Sequence, residues 1–323
     1  NLPLKEYFVM IPYESDDIQF AHYSLFDALK VEIIKSNIEH TDELNLELHS
    51  ELNTCEFPET ITGSIQITTS DNKICFERKL KHLPANIFRF NFNRVEIELP
   101  RGFYYVNMLY ESLLHERLKN VGSFILWPNM KSRISQYYER IYRVKDTILK
   151  KEEKLFLNEM ALPRLENKLI EFEKLWNGIS KKYKDYELII QFDEEIENEL
   201  SMLEAGNNPL DGKTGYLNLA YYHKNTKLPV PFSIVIPGDY NPEKKYPVIL
   251  GLHGLNSNHF HFLKRLYCMG DLSDENSFEK IDFPDFGCIV VGITGFGSVN
   301  YDGFSEQDFF KVFDLIKRFY SID

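Results

Sequence analysis

Hydrophobic and polar positions follow three different patterns along the chain, and each pattern predicts a different kind of structure. Up to about residue 125, apolar residues alternate with polar ones in short runs, as at Leu44, Leu46 and Leu48. Turn residues such as Ser70–Lys73 separate these runs. Alternation with a period of two between turn residues is typical of strands with one buried face. We therefore predict an antiparallel β-sandwich over residues 1–125, which we interpret as an accessory domain.

Between residues 126 and 211, the spacing of the apolar residues changes to that of a helix. Ile134, Tyr138 and Ile141 recur at intervals of three and four, with Glu, Lys and Arg between them. This is the pattern of an amphipathic helix. Pro163 and then Asn177-Gly178 interrupt it, so the sequence predicts two or three helices followed by a linker.

From residue 212 to residue 323, apolar runs without alternation come between helical stretches, one around His261–Met269 and one at 305–320 that carries an apolar stripe. The runs at 228–237, 246–254 and 286–294 are interpreted as strands buried on both faces. Alternation of such strands with helices predicts a parallel sheet with right-handed crossovers. The predicted fold class is therefore multidomain, with the sandwich, then the helical segment, then an α/β domain over 212–323.

The net charge excludes one class of partner. The 323 residues carry a formal net charge of −12, whereas nucleic-acid binding needs a basic face, so we predict no nucleic-acid partner. No apolar run approaches the roughly 18 residues that a membrane helix needs, so we also predict no membrane span.

The acidic run at 193–200 suggests a metal site or a solvated helix face, and we favour the solvated face.

The cysteines and the first residue bear on the compartment. Cys55, Cys75, Cys268 and Cys288 include no CxxC pair, which excludes the common zinc and thioredoxin-type spacings. Cys55 and Cys75 fit either a disulfide in an exported protein or two half-buried thiols. The chain begins with Asn1 rather than Met, which a cleaved signal peptide and a trimmed chain explain equally well. The localisation stays open, with export the favoured alternative.

A His-Gly pair, His253-Gly254, ends the second apolar run of the α/β domain. Polar residues at the carboxyl end of such a strand lie where α/β sheets bind ligands. Glycine there lets the backbone approach a ligand without a Cβ in the way. Two further histidines follow, but His259 and His261 lie two apart and would face away from each other on a helix. We therefore predict no metal site.

Two segments of the α/β domain resemble the amino-terminal half of an α/β-hydrolase domain. They run from Ile234 to Gly254 and from Gly287 to Asp323, and they are most similar to the prolyl-oligopeptidase-like (S9-type) peptidases and related esterases. The matching motifs are the strand ending in His-Gly, Tyr301-x-Gly303-x-x-Glu306-x-Asp308 before the next helix, and the ending Tyr320-Ser321-Ile322-Asp323. The resemblance implies that the loop after His253 supplies an oxyanion-hole N–H. We assign this role to Gly254 and Leu255, with His253 supporting the loop.

The catalytic triad is absent from the sequence. In α/β-hydrolases the nucleophile lies in a G-x-S-x-G elbow, and the acid and the histidine follow it. The nearest match, Gly303-Phe304-Ser305-Glu306-Gln307, lacks the final Gly. Ser305 and Asp308 have capping-box spacing, and we interpret them as a helix cap. The resemblance therefore implies a triad downstream of residue 323, so we expect this chain by itself to be inactive.

The resemblance implies a serine hydrolase that transfers an acyl group to water through a Ser-linked intermediate. Its substrate would be a peptide or an ester, it would need no cofactor, and the carboxyl-terminal half of the same domain is an expected partner. The alternative is a non-catalytic binding protein whose hydrolase-like domain has decayed. An elbow serine followed by Asp and His after residue 323 would separate the first function from the second.

Overall fold

The computed structural model has a mixed α/β fold with helices and both antiparallel and parallel strand pairs. It describes residues 7–11, 19–23, 29–33, 37–38, 44–50, 62–80, 88–92, 99–111, 116–149, 156–178, 183–254, 257–269, 282–295, 301 and 303–323. The chain divides into two compact units, one of residues 1–131 with 175–190 and the other of 132–174 with 191–323. Helices contribute to both units, and the predicted division at residues 125 and 211 stays a prediction.

β-Strands make up most of the first unit. These are β1 (Tyr7–Ile11), β2 (Gln19–Tyr23), β3 (Leu29–Ile33), β4 (Asn37–Ile38), β5 (Leu44–Ser50), β6 (Thr62–Thr69), β7 (Ile74–Leu80), β8 (Phe88–Phe92), β9 (Gly102–Glu111) and β10 (Glu116–Leu126). β1 pairs with β2, a three-stranded sheet has the order β3-β5-β8, and a five-stranded sheet has the order β4-β10-β9-β6-β7. The pairs are antiparallel, apart from the short parallel pair of β4 with β10.

The hairpin predicted around Ser70–Lys73 is present as β6 and β7. Asn72 at its turn has a φ of 63°, a left-handed conformation that Asn adopts more readily than most residues. Ile65 and Ile67 of β6 are buried and pack in the core of this sheet together with Val106 of β9. The antiparallel strands agree with the prediction, whereas the packing of the sheets as a sandwich stays a prediction.

Three named helices follow the strands. They are α1 (Met130–Leu149), α2 (Leu162–Asn177) and α3 (Tyr183–Glu204). A π-helical turn, Leu157–Ala161, runs directly into α2, and Pro163 lies in the first turn of α2. The N–H of Leu162, the first residue of α2, donates to the carbonyl oxygen of Leu157, so Pro163 lies inside a continuous helical run, directly after the π-helical turn. Pro163 therefore does not break a helix.

The acidic run at 193–200 is only in part the solvated face that the sequence predicts, since Glu194 is exposed but other carboxylates are not. Asp193 and Glu199 of this run are buried. The Tyr137 hydroxyl of α1 donates to Asp193 at 2.9 Å, and Lys168 of α2 donates to Glu199 at 2.7 Å. Arg164 also pairs with Glu199. The carboxylates face basic residues of other helices, and this long-range pairing is not visible in the local charge pattern.

The α/β part of the second unit has a four-stranded sheet covered by helices. Its elements are β11 (Gly215–Tyr222), β12 (Pro229–Ile236), β13 (Val248–Leu252), α4 (His259–Leu266), β14 (Ile289–Ile293) and α5 (Phe304–Phe319), and the strand order is β11-β12-β14-β13. The predicted strands and the two helices are present, and β11 is an additional strand that the sequence analysis did not predict.

The prediction of a parallel sheet is correct for one strand pair only. β13 and β14 are parallel, with α4 in the crossover between them. β12 is antiparallel to both of its neighbours, β11 and β14. The connection between β11 and β12, residues 223–228, is too short for a crossover, which takes a dozen or more residues. The short connection therefore forces an antiparallel pair.

Glycines allow α4 to lie very close to the sheet. A Cβ on Gly292 of β14 would lie 2.2 Å from the carbonyl oxygen of His259 at the start of α4. A Cβ on Gly251 of β13 would overlap the ring of Phe262. At Gly292 the clashing atom belongs to the backbone, so only glycine fits there, whereas a side chain at Gly251 would require the Phe262 ring to move. Among the described residues, no helix combines the length and apolar character needed to cross a bilayer.

Candidate functional site

The carboxyl ends of the parallel strands β13 and β14 lie side by side and form the candidate site. His253 and Gly254 follow β13, and Thr294 and Gly295 follow β14. Ligands of open α/β sheets bind at this edge. The structure therefore brings the predicted His253-Gly254 pair to an edge where binding is expected.

The His253 side chain bridges the ends of the two strands. Its Nδ1 lies 2.9 Å from the carbonyl oxygen of Gly254, and its Nε2 lies 2.6 Å from the carbonyl oxygen of Thr294. Carbonyl oxygens only accept, so a neutral ring donates to one of them and the protonated ring donates to both. The N–H of His253 donates to the hydroxyl of Tyr301 at 3.0 Å. The buried ring thus holds the backbone on both sides of the edge.

Gly254 lies in open space at the surface. It is exposed, and a Cβ added to it would meet no atom within 4 Å. Its φ lies outside the left-handed region, so its backbone does not demand glycine. The conformation of the loop therefore has space for a side chain at position 254. Leu255, the other predicted oxyanion donor, lies outside the described residues.

Ser305 and Asp308 do not cap α5, which corrects the predicted capping box. Gly303 occupies the N-cap position and makes no side-chain cap hydrogen bond. The hydroxyl of Ser305 instead donates to the carbonyl oxygen of Gly295 at 2.6 Å. The Asp308 carboxylate accepts from the N–H of Gly295 at 2.7 Å. Both side chains are buried, so they fasten the end of β14 to the first turns of α5.

Tyr221 is a member of this cluster that the sequence analysis missed. It lies on β11, and its hydroxyl donates to the second oxygen of the Asp308 carboxylate. Burial raises the pKa of Asp308, while the hydrogen bonds from Tyr221 and Gly295 act in the opposite direction. The alternation of Tyr221 and Tyr222 on a strand predicts only that they face opposite sides of the sheet. No local signal links Tyr221 to a residue 87 positions away.

His259 belongs to a buried hydrogen-bonded chain rather than to the exposed edge. Its Nδ1 lies 2.6 Å from the Ser233 hydroxyl, which lies 3.2 Å from the hydroxyl of Tyr216. Burial is the main cause that lowers the pKa of His259 to about 3, and the charges of the nearby His253 and His261 act in the same direction. Ser233 is fully buried, with 0% of its surface exposed, so a substrate cannot reach it. We do not assign this Ser–His pair as a nucleophile and base.

The histidines do not assemble with other ligands into a metal centre in the part of the chain that the structure describes. There, no three His, Cys, Asp or Glu side chains come together in a way that could hold a metal ion. The backbone N–H of His261 donates to the side-chain oxygen of Asn258, the N-cap of α4, at 2.9 Å. The ring of His253 therefore contacts backbone carbonyl oxygens, and the ring of His259 contacts the Ser233 hydroxyl.

Comparison with known proteins adds no relative. No protein-family model matches the chain, and no curated protein sequence matches it either. The resemblance to α/β-hydrolases therefore depends on the motifs of the sequence alone.

Proposed function

We propose that the chain is the amino-terminal portion of a serine hydrolase, a peptidase or carboxylesterase that transfers an acyl group to water. In this proposal the His253-Gly254 loop supplies an oxyanion-hole donor. The serine, the acid and the histidine of the triad come from residues downstream of 323. Removal of one N–H donor that points to a developing oxyanion typically lowers kcat by about 10²–10³-fold.

The observation that carries the proposal is the pairing of the last described residues with Tyr246, two residues before β13 begins. Ile322 forms a parallel bridge with Tyr246. The N–H of Tyr246 donates to Ser321 at 3.1 Å, and the N–H of Asp323 donates to Tyr246 at 3.0 Å. A strand continued in this register would run alongside β13 and end beside His253 and Gly254. A nucleophile elbow follows a strand of the sheet in α/β-hydrolases, so it would lie next to the candidate oxyanion donor.

The exposure of β13 also supports a further strand at this position. Among the described residues, β13 pairs with β14 alone, apart from the Tyr246–Ile322 bridge. Ile249 and Leu252 of β13 are 41% and 47% exposed. An edge strand with exposed apolar side chains is a site for pairing with another segment. A neighbouring strand would cover these side chains.

The first test is the coding sequence that follows codon 323. A G-x-S-x-G elbow followed by Asp and His supports the proposal, whereas a stop codon at that position leaves the protein without a triad and rules the proposal out. The decayed, non-catalytic alternative predicts a further strand in which the elbow serine is replaced.

The second test is a glycine substitution in the complete enzyme. Gly254→Val places a β-branched side chain where the reacting carbonyl would approach, so kcat on an activated ester should fall by roughly 10²-fold. The melting temperature should stay near that of the parent protein because a Cβ at Gly254 meets nothing within 4 Å.

Gly238→Val is the matched control for this substitution. Gly238 is also exposed, and a Cβ there would lie 3.7 Å from Asp285, an ordinary contact. It follows β12, which runs antiparallel to β14, so it lies at the opposite edge of the sheet. Its kcat should match that of the parent. Equal kcat values for Gly254→Val and the parent would remove the oxyanion assignment.

A further inference from the structure

One peptide group connects the buried carboxylate of α5 to the imidazole at the candidate site. This is the peptide between Thr294 and Gly295. Its carbonyl oxygen lies 2.6 Å from Nε2 of His253, and its N–H donates to Asp308 at 2.7 Å. The hydroxyl of Tyr221 donates to the other oxygen of Asp308. The hydrogen bonds therefore form a continuous path from β11 through α5 and the end of β14 to His253.

The path ends at the backbone of the candidate oxyanion loop. The other ring nitrogen of His253, Nδ1, lies 2.9 Å from the carbonyl oxygen of Gly254. A rotation of the ring therefore moves or releases this carbonyl. Hydrogen bonds in a chain polarise one another, and a carboxylate on the N–H side of a peptide makes its carbonyl a better acceptor.

We propose that Tyr221 and Asp308 are positioning residues that fix the His253 ring, and through it the Gly254 loop, by way of the Thr294–Gly295 peptide. The catalytic consequence rests on the proposed function, whereas the orientation of the ring does not. Asp308 is 1% exposed and Tyr221 is 3% exposed, so neither touches a substrate. Their effect on the site is transmitted through His253.

A second tyrosine on the same strand gives a matched comparison. Tyr222 follows Tyr221 on β11, and its hydroxyl donates to Glu166 of α2 at 2.5 Å. Burial raises the pKa of both phenols. The two residues thus share a strand and a tyrosine–carboxylate hydrogen bond. Glu166 lies on α2, whereas the Asp308 carboxylate accepts from the N–H of the peptide whose carbonyl oxygen His253 contacts.

The test follows the imidazole signals of His253 by NMR in the full chain with ¹⁵N-labelled histidine. A His253→Gln variant assigns the signals by their loss. In Tyr221→Phe and Asp308→Asn, the ¹⁵N and ring-proton signals of His253 should shift, and the amide proton of Gly295 should exchange with solvent faster. In Tyr222→Phe, both should stay at their parent values. Circular dichroism establishes that each variant is folded.

The outcomes separate positioning from plain stabilisation. A hydrogen bond that only stabilises the fold lowers the melting temperature in Tyr221→Phe and leaves the His253 signals in place, which would overturn the proposal. Equal shifts in Tyr221→Phe and Tyr222→Phe would overturn it as well. If Asp308→Asn does not fold, Tyr221→Phe alone decides, since it removes one hydroxyl and keeps the carboxylate.

Kinetics of the complete enzyme distinguish this proposal from the proposed function. Tyr221→Phe should lower kcat by roughly 10- to 100-fold with KM within about two-fold of the parent, because a displaced donor affects the transition state more than substrate binding. Tyr222→Phe should change neither constant. A shifted His253 signal in a protein that hydrolyses no ester keeps the positioning role and refutes the hydrolase. Normal kcat with unmoved His253 signals refutes the positioning role and leaves the hydrolase intact.

Discussion

Acidification should destabilise the second unit through His259, a residue far from the surface. In the folded chain, burial lowers the pKa of His259 to about 3, and the charges of the nearby His253 and His261 contribute in the same direction. A histidine in an unfolded chain has a pKa of about 6.5. Between these two values the unfolded state binds a proton that the folded state does not accept. The stabilising contribution is therefore complete above about pH 6.5 and is lost as the pH falls towards 3.

The size of the effect follows from the difference between the two pKa values. Each pH unit below the unfolded value costs about 1.4 kcal/mol. A change from pH 7 to pH 5 takes the unfolded histidine about 1.5 units below its pKa, so the free energy of unfolding should fall by about 2 kcal/mol. Asp308 acts in the opposite direction, since burial raises its pKa and the folded state then binds a proton as the pH falls. A variant is needed to isolate the contribution of His259.

The assay is urea unfolding followed by circular dichroism at pH 7 and at pH 5. His259→Gln should lower stability at pH 7, because it disturbs the Ser233 hydrogen bond. Its loss of stability between pH 7 and pH 5 should be smaller than that of the parent by about 2 kcal/mol. The control is Ser233→Ala, which removes the same hydrogen bond but keeps His259, so its loss of stability between pH 7 and pH 5 should match that of the parent. If His259→Gln and the parent lose the same free energy over this interval, buried His259 accepts a proton and the reasoning fails.

Two further substitutions test the packing of the second unit. Lys168→Met leaves the buried Glu199 without one of its two basic partners, so the free energy of unfolding should fall by about 3–5 kcal/mol, whereas Lys174→Met, which removes an exposed pair on the same helix, should change it by at most about 1 kcal/mol. Gly292→Ala should lower the melting temperature clearly, because its Cβ would lie 2.2 Å from the His259 carbonyl oxygen, while Gly254→Ala should leave it unchanged. Thermal unfolding of each pair checks these values, and equal melting temperatures for the two glycine variants would contradict the close approach of α4.

Local pattern was enough to find the elements that surround the candidate site. The apolar runs at 228–237, 246–254 and 286–294 contain β12, β13 and β14, and the apolar stripe after Ser305 corresponds to α5. Alternation, helical spacing and turn residues act between neighbours in the chain, so the sequence itself contains them. The position of His253-Gly254 at the carboxyl end of a strand follows from the same information.

Partners distant in the chain were decided only by the tertiary structure. Ser305 and Asp308 have the spacing of a capping box, but the buried end of β14 offers them the carbonyl and N–H of Gly295, and Tyr221 lies 87 residues from the Asp308 that it contacts. The local charge pattern of the acidic run at 193–200 is typical of a solvated face, and only the fold places basic residues of α1 and α2 against it. A buried polar group must find a partner wherever the fold supplies one, and no local spacing specifies which residue that is. The sequence by itself determined the strands, the helices and the His-Gly end, and the packing of α5 and β11 against that end decided which side chains hold it.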